Sequence, residues 1–163
     1  MAWLRRGDPE PPPPRGPETD LEDSPDALRE AIADVVRLIN ASAGRLPLRA
    51  VVTGRRITDV LLEVVDTSEV RPLDVYAVRS VRATATDYLP TTLRSFLALD
   101  DDLVDVPGGS GRTPAESLQE QLDALEDSAT AVLEAAQQQD VDALMTQGNF
   151  LRTKFTGSDL ELT

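Results

Sequence analysis

The sequence predicts an all-α fold of four to five helices, with a C-terminal antiparallel helical hairpin and a helix kinked at Pro90. Two observations carry the prediction. Apolar residues recur at three-and-four spacing through most of the chain after residue 24, and the stripes open on strong helix-start signals. The same pattern divides the 163 residues into a disordered, proline- and acid-rich arm (1–23), one helical domain (24–157) and a short flexible tail (158–163).

The arm comes first. Its stretch GDPEPPPPRGPETDLED is too poor in apolar residues to repay the entropy of ordering, and reads as a solvated, partly polyproline II segment. Its functional alternatives are a proline run that docks on an aromatic groove and a phosphorylation site at Thr19. The tip MAWLRR, residues 1–6, carries Trp3 beside two arginines, enough for weak contact with an anionic membrane surface.

Ser24 and Pro25 then supply an N-cap and a first-turn proline, ahead of Leu28, Ile32, Val35 and Ile39. Residues 46–66 admit two readings. Ala50, Gly54, Ile57, Leu61 and Val64 form one helical stripe, while the β-branched content around TGRR suits a hairpin. Helix is favoured, because its neighbours are helical and two strands alone are marginal. Pro72 opens the next helix, whose apolar side holds Val78, Val81, Ala85, Tyr88 and Leu89. The stripe continues through Pro90 to Leu93, Phe96 and Leu97. Leu89 is a poor cap for a new helix, so a kinked continuous helix is expected, with the freed carbonyl of Thr86 satisfied by water or a nearby threonine hydroxyl.

After the loop DDDLVDVPGGSG, Thr113, Pro114 and Glu116 make a capping box with a first-turn proline. Leu118, Leu122, Leu125, Ala129, Val132 and Ala136 follow in coiled-coil spacing and are expected to form the interaction seam of the hairpin. A turn at QQQD, with Asp140 as cap, leads to a last helix carrying Val141, Leu144, Gly148, Leu151 and Phe155 and ended by Gly157.

Cysteine and histidine are both absent. Their absence removes thiol nucleophiles, disulfides, the commonest general base and the commonest transition-metal ligand, and no cofactor is implied. The net charge of −13 argues against nucleic acid as a partner. No window is apolar enough for a membrane span, and a cytoplasmic location is expected. Charge is uneven: residues 45–94 sum to +2 and residues 95–163 to −11.

Three clusters carry candidate chemistry. Asp100, Asp101, Asp102 and Asp105 form the only dense carboxylate run, but they lack the spacing and glycine of a helix–loop–helix calcium loop and read first as a solvated loop. The glycines of PGGSGRTP stand before a helix start but lack the lysine of a phosphate-binding loop. Arg71, Arg79 and Arg82 could hold an anion bidentately, although the acidic C-terminal third offers them ready internal partners.

Tyr88, Leu89, Pro90, Thr92 and Leu93, followed by an expected helical hairpin of similar length, resemble the Y-L-P-x-T-L segment of the XpaC-like family, named for 5-bromo-4-chloroindolyl phosphate hydrolysis. Similar segments occur in many actinobacterial proteins of unknown role. The resemblance covers about residues 72–156 and implies a helical cytoplasmic protein linked to stress or envelope upkeep. It assigns no catalytic residue. The leading expectation is a non-catalytic interaction or scaffold protein that self-associates. The alternatives are a metal-assisted phosphohydrolase built on the aspartate run and a carrier of a small ligand between helices.

Overall fold

The computed structural model describes the backbone of residues 21–158 and the side chains as far as Gln147. The expected arm over residues 1–20, including Trp3 and Thr19, and the tail over 159–163 lie outside the described residues. The described part is all-helical. Helices α1 (Pro25–Ser42), α2 (Leu48–Asp66), α3 (Val75–Ala83), α4 (Leu89–Leu97) and α5 (Pro114–Ser158) follow in chain order, and a π turn (Thr84–Tyr88) joins α3 to α4.

Polar contacts give the directions. Arg29, early in α1, reaches Asp66 at the end of α2 at 3.0 Å, and Arg55 donates to Asn40, late in α1, at 3.1 Å. The two helices are therefore antiparallel. Arg45, ahead of α2, donates to the Leu97 carbonyl that ends α4 at 2.8 Å, so the α3–α4 unit also runs against α2. Along α5, Asp123 meets Arg49 at 3.4 Å and Gln137 meets Glu63 at 3.4 Å, pairs that advance together and make α5 parallel to α2. The result is an up-down-up-down four-helix arrangement in which α3 and α4 act as one rod.

The local starts follow the sequence. The Ser24 hydroxyl accepts from Ala27 N–H at 3.2 Å. The capping box closes in both directions: Thr113 N–H donates to Glu116 at 2.9 Å, and Glu116 N–H to the Thr113 hydroxyl at 3.1 Å. Residues 46–66 resolve in favour of helix, with Ala50, Gly54, Ile57, Leu61 and Val64 buried. Gly54 serves close approach, since a Cβ there would stand 3.1 Å from Ile39 Cδ1 across the α1–α2 contact. The third helix begins later than expected: Asp74, not Pro72, is its N-cap, accepting from Ala77 N–H at 2.8 Å.

At Pro90 the helix stays continuous through the π turn. Leu89 N–H reaches the Thr84 carbonyl five residues back, which widens the backbone just ahead of the proline ring and eases its collision with the preceding turn. The hydroxyl of Thr86 donates to the Arg82 carbonyl at 2.8 Å, whereas the acceptor expected to take a threonine hydroxyl was the carbonyl of Thr86 itself. The wide turn also shifts the phase of the apolar stripe. Val81, Ala85, Leu89, Leu93 and Phe96 are buried, but Tyr88, expected on the same side, is 54% exposed.

The C-terminal hairpin is corrected. Residues 114–158 form one helix with no turn at QQQD, and Asp140 lies within it instead of capping a new one. Leu118, Leu122, Ala129, Val132 and Ala136 are buried as expected, but α2 and the α3–α4 rod receive them where a returning helix was anticipated. Leu125 is only partly buried against the core. Gly157 falls inside α5, and Leu151 and Phe155 lie beyond the described side chains.

Two measurements follow. In urea unfolding, Leu122→Ala, at a fully buried position, should cost about 2 to 5 kcal/mol, and Leu125→Ala about 1 to 2 kcal/mol. Equal losses would place Leu125 as deep as Leu122. Pro90→Ala should lower the melting midpoint despite its better helix propensity, because Pro90 is itself buried between Leu89 and Leu93 and its ring packs there. A raised midpoint would mean that the core does not require the proline.

Candidate functional site

Helix α5 outruns its bundle. It has 45 residues, against 19 in α2. Its last described buried residue is Ala136, and residues 141–147 are all exposed. From 141 to its end at 158 the helix projects about 27 Å at 1.5 Å per residue. Along the described part of this projection Val141 is 49% exposed, Leu144 71% and Met145 63%. These are large apolar side chains at spacings of three and four on an exposed helical segment.

A polar collar fixes the point of departure. Arg71 donates to Gln139 Oε1 at 3.0 Å and approaches Asp140 at 3.3 Å. Gln139 Nε2 donates to Asp74 Oδ2 at 2.9 Å, and the other oxygen of Asp74 accepts from Ala77 N–H at 2.8 Å. Asp74 thus caps α3 and ties that helix to α5 through one carboxylate. The Ala77 backbone donor, then the Gln139 side chain, hold this carboxyl below the usual carboxylate range, with a smaller contribution from Arg71. Val75 and Tyr76, the first residues of α3, stand exposed beside the collar.

Of the arginines expected to gather for an anion, Arg79 and Arg82 share one cleft and Arg71 stands apart from them. Arg71 belongs to the collar. Arg82 is held by Asp23 at 3.0 Å and by Glu22, which ties the segment ahead of α1 to α3 and brings the body's boundary back into the expected arm. The Asp23 hydrogen bond and the Glu22 charge push this guanidinium further up. Arg79 has no ion-pair partner among the described residues and lines an open cleft of about 640 Å³ with Arg82, Leu73, Val75 and Val78. The acidic helix meets the basic middle through Arg49–Asp123 at 3.4 Å and Arg56–Glu126 at 3.8 Å, as well as through the collar.

Asp100, Asp101, Asp102 and Asp105 are exposed around a 3₁₀ turn, Asp101–Leu103, with Asp101 3.7 Å from Arg45. No group of three or more Asp or Glu side chains among the described residues is arranged to hold a metal ion. Of the Tyr88–Leu93 segment, Leu89, Pro90 and Leu93 are core residues. Thr92 lines a shallow cleft of about 170 Å³ with Phe96, Leu99 and Leu118, and Pro90 lines another of about 200 Å³ against α1. Both are smaller than the roughly 300 Å³ at which small-molecule sites begin. No described helix is long and apolar enough to cross a membrane.

Sequence reasoning missed the collar. Gln139 and Asp140 fall in the stretch QQQD expected to form a turn, and no sequence motif singles out Asp74. Compared with protein-family models, curated proteins and solved structures, the chain matches none.

The collar has a pH signature. A carboxyl lowered in the folded state contributes stability that is present above its unfolded value, about 3.9, and is lost as pH falls through the lowered folded value. Asp74→Ala should therefore cost about 1 kcal/mol at pH 7, measured by thermal unfolding, and the gap from the parent should narrow below pH ~4. A gap independent of pH would remove the ionised carboxylate from the account.

Proposed function

We propose that the protein is a non-catalytic helical interaction protein that self-associates, using the projecting end of α5 as its contact element. The observation that carries this reading is the exposed run Val141, Leu144 and Met145 on a helix that has left its own bundle. A lone helical segment of about 18 residues with a glycine in its middle is marginal in water, because short helices draw most of their stability from packing an apolar face. A partner supplies that packing. The collar supports the same reading, since it anchors the start of the projection and sets the direction in which the apolar side chains leave the body.

The test is a point change on the projection. Leu144→Glu, at an exposed position, should leave the melting midpoint within a few degrees of the parent while reducing the solution mass measured by light scattering from an oligomer to a monomer. A parent protein that stays monomeric at every concentration would overturn self-association. An oligomer unaffected by Leu144→Glu would move the contact away from α5.

A further inference from the structure

We infer that the partner of the projecting end of α5 is the same segment of a second copy, laid antiparallel across it and crossing near Gly148. This rests on the self-association reading and adds the orientation, the register and the spacing of the two bodies.

Three features carry the inference. The first is rotation. At 100° per residue, Leu118, Leu122, Ala129, Val132 and Ala136 lie along one line of α5, the line buried by the body. Val141 and Leu144, with sequence positions 148, 151 and 155, lie along another line about 100° further round. The second stripe is thus no continuation of the first, and lengthening α2 or α3 would not cover it. It is patterned for a separate helix.

The second feature is symmetry. About position 148 the stripe reads nearly alike in both directions: 141 corresponds to 155, 144 to 151, and Gly148 to itself. A two-fold axis at that point sets Val141 level with Phe155 of the partner subunit, and Leu144 within about one helical rise of the partner's Leu151. Glycine at the crossing leaves room for two backbones to approach.

The third feature is charge. Asp140 and Asp142 open the segment, and Arg152 and Lys154 stand near its end. Antiparallel pairing brings the acids of each copy beside the bases of the other, whereas an in-register parallel pair sets like charges level with each other at both ends. An overlap of about two and a half heptads is small for a specific interface, so the dimer should dissociate on dilution. The two bodies, whose last buried contacts are at Ala136, would then stand about 36 Å apart along the shared axis, one at each end. The product is a two-ended rod.

The natural absence of cysteine makes the orientation directly readable. Full-length Leu144→Cys and Leu151→Cys proteins should be oxidised separately and as a mixture, at a concentration where the parent is dimeric by light scattering. Antiparallel pairing places each position about 12 Å or less along the axis from its own copy, too far for a disulfide at the 144 position, but brings 144 and 151 of opposite subunits close enough to bond. The expected result is a mixed disulfide dimer that dominates over the Leu144→Cys self-dimer by at least tenfold. A Leu144→Cys self-dimer as abundant as the mixed product indicates parallel pairing and overturns the inference. A dimeric parent with no cross-link in any arm places the contact elsewhere, which overturns the inference and leaves self-association intact. A parent that is monomeric throughout overturns both.

Discussion

The structure depends on a mismatch of length along one contact. Helices α2 and α5 run parallel and are fastened by apolar packing and by polar pairs from Arg49–Asp123 to Glu63–Gln137. But α2 ends at Asp66, where α5 still has more than a third of its length to run. Burial follows the partner: it is continuous while α2 lies alongside and ceases after Ala136. Past that point the chain remains helical, and residues 141–147 are exposed among the described residues.

Two features of the body hold this geometry. The π turn and Pro90 let a single rod, α3 with α4, follow two neighbours without a break in the chain, with Val81 and Ala85 buried before Pro90 and Leu93 and Phe96 after it. The collar of Arg71, Asp74, Gln139 and Asp140 then joins the start of that rod to α5 at the level where the bundle ends. Exposed ion pairs contribute little to stability one by one. Their role here is directional, because Gln139 and Asp140 immediately precede the exposed apolar run and set its angle to the body.

Much of the fold was legible in the sequence because it rests on local chemistry. The Ser24 and Thr113 caps, the stripe of α1, and the stripe of α2 through Gly54 all sit where the residue pattern puts them. The π turn was not legible, since an inserted residue in a helix changes phase without a composition signal, and Tyr88 was consequently assigned to the buried side. The hairpin was misread for a related reason. Between Ala136 and Val141 the apolar stripe jumps round the helix, and the polar run with Asp140 looks like a cap, which reads as a change of direction although the helix continues. The collar was hidden because Gln139 and Asp74 acquire meaning only when distant elements meet. The aspartate run lies in an exposed turn, Arg79 and Arg82 line one cleft, and Arg71 is drawn into the collar.

The central claim is that the end of α5 is a helix completed by association. Hydrogen exchange of the full chain, followed by mass spectrometry across a dilution series, tests it most directly. Protection over residues 141–158 should rise with protein concentration and fall towards that of an isolated helix on dilution, while residues 118–136 remain protected throughout. Exchange over 141–158 that is the same at every concentration would contradict the account.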